Sequence, residues 1–126
     1  MSDVPSCTSS LARFLFDHSC LRSNGTVKHK AFFEKRPPHN TSVDAHNIHT
    51  VDIHWDIGRM INPKRPLIGA ADLPPGAAES AGLSVVPDPK PGMASHCELH
   101  GWPDDKMKMI EISASLADRS VFVSVA

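Results

Sequence analysis

Between Thr50 and Gly58 the chain alternates: Val51, Ile53, Trp55 and Ile57 take every second position, and Thr50, Asp52, His54 and Asp56 fill the places between. Successive side chains of a strand point to opposite faces, so this spacing predicts a strand with one apolar and one polar face. β-branched and aromatic residues suit such a pleated, half-buried surface. The stretch is therefore read as the central strand of the domain. Its apolar face anchors the core, and its polar face is the first place to look for chemistry.

The flanking sequence predicts the partners of that strand. Asn24-Gly25 accepts the positive φ angles of a tight hairpin turn and joins 19–23 to 26–33, with Phe33 facing the core. Residues 11–18 carry both a helical pattern (Leu11, Phe14, Leu15) and an alternating one (Ala12, Phe14, Phe16), and the phenylalanines favour a strand. Residues 34–42, with Pro37-Pro38, read as a loop, because proline fixes φ and removes a ladder donor. Residues 59–66 read as an irregular basic connection and 67–71 as a short strand. A short helix is expected over 74–81, with Pro74 in its first turn and Gly82 ending it, and a strand over 83–86.

Pro103 opens the last expected helix, 103–118. Asp104 and Asp105 complement the positive end of its dipole, and Met107, Ile110, Ala114, Ala117 and Val121 recur at helical spacing. Residues 120–126 are a final edge strand or a tail. The sum is an α+β fold: a small, mostly antiparallel sheet with a C-terminal helix packed on one face.

Composition bounds the function classes. The 126 residues are 40% hydrophobic and 21% charged, which suits one globular domain over 1–126, with residues 1–8 as a flexible end. A net charge of −1 supplies no general attraction to nucleic acid or to a membrane surface. Three cysteines, Cys7, Cys20 and Cys97, make no disulfide framework. The first residues carry neither a basic segment nor an apolar one, and no apolar run reaches the length of a membrane span. The expected setting is the reducing cytoplasm, with free thiols.

Histidine is the unusual residue, with eight copies, five of them in two clusters: His46, His49 and His54, then His96 and His100. The pairs His46-x-x-His49 and Cys97-x-x-His100 resemble the halves of a zinc site, so a divalent metal such as zinc is the candidate cofactor, held by these four residues. Residues three apart on a strand face opposite ways, so each pair needs a turn or bulge to converge. A catalytic alternative uses the polar face of the expected strand. There Asp52, His54 and Asp56, with His96 or His100 alongside, form a His/Asp pocket suited to phosphodiester or ester hydrolysis, with Lys28, Lys30, Lys35, Arg36, Lys64 and Arg65 as charge for a phosphate. The plainer reading of both groups is a solvated strand face.

Standard phosphate loops, the Gly-x-Ser-x-Gly elbow and the His-Glu-x-x-His helix are absent from the sequence. Cys97 has His96 adjacent, but sequence neighbours on a strand point apart, which argues against a nucleophilic pair. Phe32 and Phe33 beside basic residues could stack on single-stranded nucleic acid, yet one must turn from the other, and the slight acidity argues against it. Trp102 reads as an anchor at the helix start. Two functions remain: a non-catalytic binding or accessory domain, expected to self-associate through an edge strand or helix face, and a small hydrolase built on His54, Asp52 or Asp56 with His96 or His100.

Overall fold

The computed structural model describes residues 10–33, 40–45 and 51–125, with Val51 described by its backbone alone. Within them, six strands form one antiparallel sheet: β1 (Leu11–Leu15), β2 (Thr41–Ala45), β3 (Gly69–Leu73), β4 (Ser84–Pro87), β5 (His96–His100) and β6 (Val121–Ser124), in the order β4-β5-β2-β1-β3-β6. The same residues form three α-helices: α1 (Val51–Ile61), α2 (Ala77–Ser80) and α3 (Lys106–Arg119). The α+β class and the antiparallel sheet agree with the sequence reading.

The central strands are β1 and β2. Leu11 and Leu15 of β1 join Val43, Leu73, Leu99, Leu116 and the fully buried Phe32 in a large core on the side of α2 and α3. Ala12 and Phe14 point the other way and meet Ala70, Leu67 and Ile57 of α1 in a smaller core. Burial on both faces is what a central strand requires, and it explains why β1 shows little polar alternation.

The strand expected over 50–57 is helix α1. The alternation at 51, 53, 55 and 57 coexists with His54, Ile57, Gly58 and Ile61 at i, i+3, i+4 and i+7, the spacing of one helix face. The structure buries His54, Ile57 and Gly58 and leaves Asp52, Ile53, Asp56, Arg59 and Met60 exposed. The helical pattern runs on through Ile61, so the expected irregular connection begins three residues later than read. Asp52 sits in the first turn, where a carboxylate complements the helix dipole. Gly58 sets the docking distance: a Cβ there would lie 2.6 Å from Phe14 Cδ1 and 2.9 Å from Leu67 Cδ2.

The expected hairpin is present only at its tip. Arg22 accepts from Gly25 N at 2.9 Å and donates to Thr26 O at 2.8 Å, so the turn centres on Ser23-Asn24, and Gly25 follows in the left-handed region at φ +85°. This is a three-residue loop rather than the two-residue turn expected. Beyond the Leu21–Val27 bridge the second arm becomes a 3-10 turn at His29–Ala31. Phe32, rather than Phe33, is the core residue.

Helix α3 starts at Lys106, after Asp105 caps it by accepting from Met107 N at 3.1 Å. Its buried face is Met109, Ser113, Leu116 and Ala117, rotated from the expected one, and Met107 is exposed. β6 follows as an edge strand on β3.

Candidate functional site

The α1 side of the sheet is polar across β2 and β5. By strand parity Ser42 and Asp44 share this face with His96, Glu98 and His100, and the register sets Asp44 opposite His96 and Ser42 opposite Glu98. Apolar packing of α1 falls on β1 and β3, through Phe14 and Ala70. The polar half is therefore flanked by the helix rather than sealed under it.

Asp44 is the hub. It is 2% exposed, and its Oδ2 accepts from His54 Nδ1 at 3.1 Å, while its Oδ1 accepts a short hydrogen bond from Ser95 Oγ. His54 is buried too, with its ring 4.9 Å from Phe14 and 4.7 Å from Trp55. The pair ties α1 to β2. His54 was expected to act with Asp52 or Asp56, but those carboxylates lie on the solvent side of α1, because residues two apart on a helix are turned some 200° from each other. Asp56 pairs instead with Arg59 at the surface, 3.3 Å away.

Beside the hub the sheet divides. β1 and β2 pair only at Leu11–Ala45 and Ala12–Asp44, although each strand has five residues. Past that point Arg13 spans the gap, donating from Nε to Ala31 O at 3.0 Å and from Nη1 to Ser42 O at 2.9 Å. A cavity of about 240 Å³ opens at the division. Phe14, Phe16, Ile57 and Ile61 supply its apolar lining, and Ser42, Asp44, Asn62 and His96 its polar lining, with Arg13 at the split.

His96 is held rigidly in that lining. Its Nδ1 donates to Asp88 O at 2.9 Å, with Asp88 Oδ2 3.5 Å away, and its main-chain oxygen accepts from Asp88 N at 2.9 Å. Asp88 Oδ2 also lies 3.1 Å from Lys90 Nζ. With Nδ1 occupied, Nε2 is the ring nitrogen left for the cavity. Among the described residues neither this atom nor the side chains of Ser42 and Asn62 has a hydrogen-bond partner.

The remaining expected site residues lie elsewhere. His100 pairs with Glu98 at 3.1 Å and is about 13 Å along β5 from His96, by the rise of a strand. Cys97 is fully buried in the large core, on the opposite face of β5 from His100, so these two do not converge. Burial, reinforced by the charges of Asp44 and Asp88, pushes the Cys97 thiol up to about 12. His46 and His49 lie outside the described residues, as do Lys35 and Arg36. Lys28, Lys30, Lys64 and Arg65 do not line the cavity. Among the described residues, no three His, Cys, Asp or Glu side chains gather closely enough to hold a metal ion.

The sequence reading does not single out Asp44, Ser95 or Asp88, which the structure sets around His54 and His96. Thr41, Val43 and Ala45 alternate with Ser42 and Asp44, a strand signal with one wet face that the proline-based loop reading obscured. No helix among the described residues is long and apolar enough to cross a membrane. No protein-family model, curated protein or solved structure matches this chain.

Proposed function

We propose that this chain is a small, non-catalytic ligand-binding domain whose site is the cavity between β1, β2 and α1. The observation that carries the reading is the division of β1 from β2, which leaves a cavity of about 240 Å³ lined by apolar side chains and by the imidazole of His96. Ligand sites combine these parts: apolar walls for affinity and a few fixed polar groups for orientation. The size restricts the ligand to a compact molecule. Melting curves of the protein with a library of compact neutral, anionic and cationic molecules test the reading. Binding to the folded state raises the melting temperature, by an amount that grows with the logarithm of ligand concentration above Kd. Ile61→Trp, at a cavity-lining position that is 40% exposed, fills the space with little strain on the fold. Compounds that stabilise the wild type and not Ile61→Trp support the site. The absence of any such compound overturns it.

The proposal includes a reducing cytoplasm, which suits the buried free thiols Cys20 and Cys97. It also includes self-association through β6, an edge strand with Val121 and Val123 exposed and no charged residue in it. Light scattering over a concentration series reads that directly.

One observation favours hydrolysis as a second reading. His96 lines the cavity with its Nδ1 anchored on Asp88 O and its Nε2 without a hydrogen-bond partner among the described residues, an arrangement that suits a general base. Turnover of small activated esters that disappears in His96→Ala and persists in His100→Ala would select it. No turnover leaves the binding reading.

A further inference from the structure

Resting on that reading of the cavity, we infer its ligand class: an uncharged aromatic ring of about ten non-hydrogen atoms or fewer, carrying a hydroxyl or ring N–H that donates to His96 Nε2. The size follows by proportion. A cavity of about 150 Å³ admits benzene, so 240 Å³ admits a ring system such as indole. The flat, apolar character follows from the walls. Phe14 and Phe16 present aromatic surface and α1 contributes Ile57 and Ile61, a lining that rewards a ring over a flexible chain.

The absence of charge follows from what the charged lining residues already hold. Asp44 accepts from His54 and Ser95, and Arg13 donates to two main-chain carbonyls. A buried anion would meet the Asp44 carboxylate, and a buried cation would meet the Arg13 guanidinium, each with its own hydration lost. The donor requirement follows from the tautomer. His96 gives its Nδ1 hydrogen to Asp88 O, so in the neutral imidazole Nε2 is the nitrogen that presents a lone pair, in a side chain that is 5% exposed. A ligand that covers this acceptor without offering a donor takes its water away and leaves it unsatisfied. Ser42 and Asn62 then offer a hydroxyl and an amide to a second polar atom on the same ring.

Calorimetric titration with matched probes tests the inference. Indole and phenol are compared with 1-methylindole and anisole, which keep the ring and lose the donor, and with benzoate and benzylamine, which add charge. Loss of the donor is expected to weaken binding about tenfold or more, the value of one buried hydrogen bond. His96→Asn keeps an amide N–H for the Asp88 carbonyl and withdraws the cavity acceptor. It is expected to abolish the difference between indole and 1-methylindole while the melting temperature stays close to that of the wild type. Should that variant fail to fold, the wild-type probe pairs decide alone. Methylated probes that bind as tightly as their parents overturn the donor, and charged probes that bind more tightly overturn the neutral class. If no aromatic probe binds while other library compounds do, this inference fails and the cavity reading stands. If nothing binds at all, both fall.

Discussion

Replacing Asp44 by alanine removes the acceptor of two buried donors at once. His54 Nδ1, 3.1 Å from Oδ2, and the Ser95 hydroxyl on Oδ1 both lose their partner. Both side chains are buried, His54 at 6% and Ser95 at 2% exposure, so water cannot freely replace the carboxylate. Each orphaned buried donor costs about 1–3 kcal/mol. Breaking one partner of a buried pair is independently worth about 3–5 kcal/mol. The two routes converge on a loss of about 3–5 kcal/mol for Asp44→Ala, a large part of the 5–15 kcal/mol typical of a domain. Urea unfolding followed by circular dichroism reads it as a lowered midpoint at unchanged slope. A double-mutant cycle isolates the pair. Asp44→Ala with His54→Ala removes donor and acceptor together, so the double variant is expected to be more stable than the sum of the singles by about 1.5 kcal/mol or more. Asp44→Asn is expected to fall between, since its oxygen still accepts from one donor. A loss below about 1 kcal/mol for Asp44→Ala, or an additive cycle, would refute the claim that Asp44 ties α1 to β2.

Three further substitutions probe the surroundings. Ser113 is fully buried in α3 and its Oγ has no hydrogen-bond partner among the described residues, so Ser113→Ala should stabilise the protein by about 1 kcal/mol, read as a rise in melting temperature. A destabilised variant would show that the hydroxyl is satisfied. Gly58→Ala gains about 1 kcal/mol of helix propensity, but the added methyl lies 2.6 Å from Phe14 Cδ1, and overpacking costs about 1–3 kcal/mol. A net loss is expected, and a gain would mean that α1 docks less closely on β1. The Cys97 thiol ionises at about 12 in the fold against an ordinary value of 9.0, so the folded state binds more protons than the unfolded one between those values. Stability should therefore fall as pH rises from 9 toward 12, less steeply in Cys97→Ala, and a disulfide-exchange reagent at neutral pH should not label native Cys97. Rapid labelling of that thiol would contradict its burial.

Flanking charge settles one overlap of periodicities: Ile110, Ile112, Ala114 and Leu116 also alternate, yet Asp104 and Asp105 before them and Arg119 at the end mark a helix, which runs over Lys106–Arg119. β3, β4 and β6 fall within two residues of the runs that predict them. The overlap over 51–61 misleads. Val51, Ile53, Trp55 and Ile57 satisfy period two, and His54, Ile57, Gly58 and Ile61 satisfy a helix face, and Ile57 counts for both. What decides is tertiary: Gly58 lets a helix settle on Phe14 and His54 reaches Asp44, and neither contact is visible locally. The site was half legible for the same reason. His54 and His96 stand out by residue type, but their partners are set by strand register and lie 10 positions away at Asp44 and 8 at Asp88. Ser95 reaches Asp44 across 51 positions.

The division of β1 from β2 is the feature on which the proposed site rests. These are the two central strands, where a continuous ladder would bury and satisfy the most main-chain groups. The ladder instead stops after Ala12–Asp44, and Arg13 reaches over to satisfy Ser42 O from a side chain. An arginine held between two carbonyls is a costly substitute for ordinary pairing, since a long, flexible side chain has to be ordered to do it. The same strand pairs fully with β3 over five positions on its other side, so β1 has no inherent difficulty in forming a ladder. The split falls beside the buried Asp44–His54 pair and opposite His96, on the polar half of the sheet that α1 flanks. A defect placed at random would have no reason to collect a braced imidazole, an anchored carboxylate and four apolar side chains around one opening. On the proposed reading, the cavity is what this sheet gives up its central pairing to hold open.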